Sequence, residues 1–287
     1  MVPEKFLISY TRGFWMIIFY LAFARSILML ILELLIPDKL AHDLDPALTM
    51  VIGTFSIFLL TWLLRLNIRH RYDQGFSFGI PGNIDFRLLM SLLVFTTGYV
   101  FTFRSSLGWI TDNFTESGLF TEIEKRLTEE YERNKWQALY PHIVLSPIYE
   151  EVVVRGAVLR GLLNRYKTTH AILLSGILFG ITHFYLSQVI NAITFGIALS
   201  FMYYFSRSLM LCILVHIYHN GLAVTLFYTG FSFGWNSFLT GLILLLLSGW
   251  ILTSRLKKQM EKEPGTKNPP DGKIPNYETG TLKRTRN

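Results

Sequence analysis

The chain is short of charge. Only 16% of its 287 residues are Asp, Glu, Lys or Arg, where a soluble domain carries about a quarter. The apolar residues make up 51% and come in blocks of roughly 20, the length that crosses a bilayer as helix. Together these exclude an ordinary soluble globule and point to an integral membrane protein. Cysteine is nearly absent. The single Cys212 excludes an intrachain disulfide and reads as a small buried hydrophobe in its apolar run. The net charge is +7, but no basic patch gathers it. Basic residues lie at the ends of apolar blocks and in the tail, which fits positive-inside topology and argues against a nucleic-acid partner. No internal repeat is visible, no His-Glu-x-x-His zinc helix occurs, and no Gly-x-Ser-x-Gly context precedes a suitable histidine. From Glu261 to Asn287 apolar periodicity is missing, and a disordered tail is expected. No cysteine lies near that terminus, so the chain itself is not expected to be prenylated.

What is present is an all-α pattern, a polytopic transmembrane bundle of about eight spans. They run approximately Phe14–Ile36, Ala47–Leu66, Leu88–Leu107, Trp136–Leu163, His170–Tyr185, Ser187–Phe205, Leu209–Tyr228 and Ser237–Thr253. The first resembles a signal peptide, with Lys5 and Arg12 ahead of it and Ala22-Phe23-Ala24 inside it. Its apolar run continues to Ile36, however, too long for a cleaved segment, so a retained helix is expected. The fifth and sixth spans nearly touch, and one of them is expected to be short or broken. Residues 1–135 would hold three spans and a loop helix, 136–254 five spans of the same bundle, and 255–287 a basic tail. In the loop helix, Phe120, Ile123, Leu127 and Tyr131 recur at helical spacing among charges, which predicts an amphipathic segment. With eight spans, Arg65, Arg69, Arg71, Arg87, Arg165, Lys167, Arg207, Arg255, Lys257 and Lys258 all fall on one side. The positive-inside rule then puts both termini in the cytoplasm.

Against this apolar background three charges stand close together: Glu150, Glu151 and Arg155. Ionisable groups at bilayer depth are expensive and usually mark a polar cavity. Glu151 and Arg155 are four apart and can pair on one helix face. Glu150 points about 100° away and is freer to reach water, as a general base must. Pro147 either starts a helix, with Ser146 as N-cap, or kinks a continuing one. The plainer alternative is an ion cluster that only ties helices together. Two later spans supply partners. His183 follows Phe179 by four residues. His216 and Asn220 are four apart and can donate toward one point, although a membrane Asn also commonly bridges helices. His219 points elsewhere and reads as secondary.

The order Glu-Glu-x-x-x-Arg, Phe-x-x-x-His and His-x-x-x-Asn on three separate spans resembles the intramembrane glutamate proteases of the CPBP or Abi family. These are related to the Ras-converting CAAX prenyl endopeptidase. The resemblance covers about 136–225 and makes 136–254 the catalytic core. It implies that Glu150 activates the attacking water, that His183 helps hold it, and that His216 and Asn220 stabilise the tetrahedral oxyanion. Glu151 and Arg155 would be supports. The implied reaction is endopeptidase cleavage near the membrane, in CAAX-type C-terminal processing or in peptide or bacteriocin maturation. The implied partners are a membrane-anchored or lipidated substrate and membrane lipids. No cofactor is implied, although Glu150, Glu151, His183 and His216 are zinc ligands by type. The chain departs from eukaryotic-type members at Val152-Val153-Val154, where they carry an aromatic residue just before the arginine. A non-catalytic scaffold or self-immunity protein of the same family, or an ion-coupled transporter, are the competing readings.

Overall fold

The computed structural model describes residues 8–24, 46–72, 86–114, 135–183 and 186–262, with Glu129 and Glu132 besides. All regular structure among them is helical. We number the rods in chain order. α1 is Tyr10–Ile17, continued as π-helix over Ile18–Ala24. α2 is Pro46–Tyr72 and α3 is Phe86–Phe114. α4 is a continuous run over 135–163 in which α and π turns alternate. α5 is Thr168–Gly180, α6 Leu186–Ser206, α7 Leu209–Tyr228 and α8 Trp235–Lys262. Five of these, α2, α3, α6, α7 and α8, are long and apolar enough to cross a membrane. The count of eight spans is therefore not reached by that measure. α4 is long enough but is divided by its π turns. α1 reaches only Ala24, because the rest of the expected first span lies outside the described residues. So do the amphipathic segment at Phe120 to Tyr131, and the tail beyond Lys262.

α5 differs from its expectation for a physical reason. It was expected over His170–Tyr185, but it stops at Gly180 and turns through Ile181 and Thr182 to His183. The Thr182 hydroxyl donates to the Phe179 carbonyl at 2.7 Å, and the His183 amide reaches the Gly180 carbonyl. Those bonds close the last turn. A rod of 13 residues rises about 20 Å, short of a hydrocarbon core of about 30 Å. His183 thus stands at a helix end rather than along a helix face.

α4 is the axis of the bundle. Every residue from Val152 to Leu159 is buried, as are Gly161, Leu162 and Leu163. α1, α2, α5, α6 and α7 all pack against this segment. α1 is held at two levels. The Ile8 amide donates to the Gly161 carbonyl at 3.1 Å, and the Tyr149 hydroxyl donates to the Tyr20 carbonyl at 2.5 Å. α6 turns into α7 through Arg207, whose φ is 53°. Ser208 then caps α7 by accepting from the Leu211 amide at 3.1 Å. α3 flanks α7 and α6, and α8 lies along α3. The outer face of α8 shows Leu239, Ile243, Leu246, Leu247 and Trp250. A continuous apolar face of that kind belongs against lipid.

α3 and α8 meet backbone to backbone. A Cβ at Gly98 would stand 2.8 Å from the Gly241 carbonyl oxygen and 2.8 Å from the Leu245 nitrogen. Small residues at such crossings let helices approach where lipid offers no hydrophobic drive between them. Gly98→Ala is expected to lower stability by about 1–3 kcal/mol through overpacking. Gly249→Ala on the same helix pair should be silent, because nothing lies within 4 Å of that position. Thermal unfolding in detergent compares the two. Equal midpoints would show that the crossing is not tight.

Candidate active site

The three charges of α4 take up different positions. Glu151 and Arg155 are fully buried and pair at 2.7 Å, from Nη1 to Oε1. The other amino group of Arg155, Nη2, donates to the Gly196 carbonyl of α6 at 2.7 Å. Its guanidinium also lies over the Phe179 ring of α5, 5.1 Å from the centroid. One buried cation therefore joins α4, α5 and α6. A Cβ at Gly196 would sit 3.2 Å from the Gly176 Cα and 3.4 Å from Arg155 Nη2, so glycine is what opens the carbonyl to the arginine.

α7 adds His216, which is 4% exposed and stands between the two carboxylates. Its Nδ1 is 2.8 Å from Glu151 Oε1, and its Nε2 is 3.7 Å from Glu150 Oε2. The first is a hydrogen bond; the second is too long to be one. Glu150 is the carboxylate with access, its side chain 19% exposed against 0% for Glu151. Its other oxygen accepts from the Ser146 hydroxyl at 2.5 Å. Ser146 is not an N-cap, because the helix runs through it in αR geometry. Of the two roles open to Pro147, the continuing helix is the one observed, preceded by the π turn Pro141–Leu145.

His183 does not share a direct hydrogen bond with either glutamate among the described residues. Its Nδ1 is 3.3 Å from both the Thr182 hydroxyl and the Phe179 carbonyl. Its ring meets the Phe179 ring edge-on at 5.2 Å, and Phe179 meets His216 edge-on at 5.9 Å. Phe179 thus stands between the two histidines. Asn220, one turn beyond His216, is held by groups the sequence reading did not use. Its Nδ2 donates to the His142 carbonyl at 2.9 Å, and its Oδ1 faces His219 Nδ1 at 3.0 Å.

Residues 133–222 match the family model described as type II CAAX prenyl endopeptidase Rce1-like. The cluster lies within the matched segment. No curated protein and no solved structure matches the chain. The Rce1-like segment runs into α7 and contains Glu150, Glu151, Arg155, His183, His216 and Asn220.

Two participants were missed in the sequence. Ser146 precedes Glu150 by four residues, the same spacing that paired Glu151 with Arg155, so the signal was present. His219 was set aside because it points away from His216, and only the packing of α7 shows what it meets.

Within the Rce1-like segment the buried pair is incompletely satisfied, since Glu151 Oε2 and Arg155 Nε find no partner among the described residues. Removing one member of a buried pair strands the other charge, at about 3–5 kcal/mol. Arg155→Met is expected to cost that much in thermal or denaturant unfolding. The double variant Glu151→Gln/Arg155→Met should be more stable than Arg155→Met alone. A double variant that loses the sum of both single losses would show that the charges are not coupled.

Proposed function

We propose that the chain is an intramembrane endopeptidase in which Glu150 activates the attacking water. The observation that carries this reading is the division of labour between two adjacent carboxylates. Glu151 is engaged by Arg155 and by His216 Nδ1, whereas Glu150 keeps an accessible oxygen beside His216 Nε2. A water bound to Glu150 would give it a proton while its oxygen attacks the peptide carbonyl carbon. The carbonyl oxygen becomes the oxyanion, and preorganised N–H donors in a low-dielectric cavity stabilise it. Asn220 is the donor for that oxygen, through the amide hydrogen that His142 leaves free. With Nδ1 turned to Glu151, Nε2 is the His216 nitrogen that meets the water or the oxyanion. Glu150 returns its proton to the leaving amine nitrogen as the carbon–nitrogen bond breaks. Glu151 and Arg155 orient His216. His183, at the end of α5, is assigned the second contact to the water through Nε2, the nitrogen not engaged with the Phe179 carbonyl.

We propose further that no metal takes part. Glu151, a candidate ligand, is already engaged by Arg155 and by His216 Nδ1. The substrate is a membrane-anchored or lipidated peptide, and both termini face the cytoplasm, as the loop charges indicate.

Cleavage is measured with purified protein in detergent, on a farnesylated C-terminal peptide and on an unlipidated leader peptide. Glu150→Gln is expected to lower kcat by about 10²–10⁴ while the fold is kept, and a chelator should leave the wild type active. Loss of activity with chelator would establish a metal enzyme instead. A biological role that survives Glu150→Gln would establish the non-catalytic scaffold. For orientation, a cysteine introduced as Lys258→Cys should react with a membrane-impermeant thiol reagent only from the cytoplasmic side, since Cys212 is buried.

A further inference from the structure

His219 is a buried histidine that the proposed reaction does not use. It is 6% exposed and stacks on Phe195 of α6, with ring centroids 4.0 Å apart and planes 21° from parallel. The Tyr99 ring of α3 lies 5.9 Å away. Tyr99 is itself fixed, its hydroxyl within 2.8 Å of Asn191 Oδ1 and 2.7 Å of Thr194 Oγ1. The imidazole is thus clamped between α3 and α6 in one plane. Among the described residues, its one side-chain hydrogen bond is to Asn220, at 3.0 Å through Nδ1.

We propose that His219 is a positioning residue that fixes which end of the Asn220 amide faces the reacting carbonyl. The inference rests on the reading of Asn220 as the oxyanion donor. A side-chain amide has an accepting end and a donating end, nearly alike in shape and opposite in charge. An oxyanion site works with one and fails with the other. The His142 carbonyl can only accept, so the Asn220 end 2.9 Å from it is the amino end. That places Oδ1 toward His219, which must then carry its hydrogen on Nδ1. The His142 carbonyl sets the orientation, and the Nδ1–H tautomer of His219 adds a second restraint to it. One Nδ2 hydrogen is taken by His142, and the second remains for the substrate. The His142 carbonyl lies in the π turn Pro141–Leu145, where the Ser146 amide donates to the Pro141 carbonyl. Without the Nδ1–H donor, the amide keeps only one restraint and can rotate about its last torsion, so the donor is lost part of the time.

The test uses the full-length protein in detergent and the two peptides named above. His219→Phe keeps a ring on Phe195 but removes the donor. It is expected to lower kcat about tenfold to a hundredfold, the scale of a misaligned catalytic group, with KM within about twofold. His219→Asn places an amide nitrogen where Nδ1 stood and should recover most of kcat. In an Asn220→Ala background, His219→Phe should have no further effect. A wild-type kcat in His219→Phe would overturn the proposal. So would a loss that persists undiminished in the Asn220→Ala background, because that would show a structural effect on the whole bundle. Glu150→Gln, run alongside, separates the two levels. If it is inactive while His219→Phe is normal, only the positioning role falls. If Glu150→Gln still cleaves at the wild-type rate, the reading of this cluster as the reacting site falls and the role of His219 with it.

Discussion

A guanidinium buried at the depth of a bilayer has to be neutralised and hydrogen-bonded, or the helices around it will not close. Arg155 imposes that demand here. It meets Glu151 within α4, the Gly196 carbonyl on α6 and the ring of Phe179 on α5. Glu151 passes the requirement on to His216 of α7. Four helices are thereby registered against one another by a single chain of charge-assisted contacts. In a lipid solvent, where apolar packing between helices gains little over packing against tails, such contacts and close glycine crossings are what specify the arrangement.

The same chain of contacts prepares the candidate site. Because Glu151 is committed to Arg155 and His216, its neighbour Glu150 is left as the carboxylate with one oxygen on Ser146 and the other open. Because His216 Nδ1 is committed to Glu151, its Nε2 is the nitrogen turned to Glu150. The support therefore determines the identity of the working groups rather than only their positions. The π turns of α4 matter for the same reason. The His142 oxygen that meets Asn220 lies in one of them, and such turns recur at functional sites.

Much of this was legible in the residues. Composition and block length alone required a helical membrane bundle, since only helices or closed barrels satisfy the backbone in lipid. The Glu151–Arg155 pair followed from four-residue spacing, and α7 was expected over the residues it occupies. The three motifs pointed to the family that the segment 133–222 matches. Boundaries read from hydropathy failed where the backbone departs from a plain α-helix. α5 ends at Gly180 because a threonine side chain and an early turn close it, and neither changes the hydropathy of the run.

The sequence by itself determined which residues are ionisable within apolar segments and which of them are one helical turn apart. Those are local properties, set by the helix period and the cost of charge in lipid. Only the tertiary structure decided how the spans face one another. It put His216 between two carboxylates, Phe179 between two histidines, and Ser146 and His219 in contact with groups expected to work alone. No periodicity encodes those choices, because they arise from long-range contacts between helices whose rotation about their own axes is set by what a buried arginine must touch.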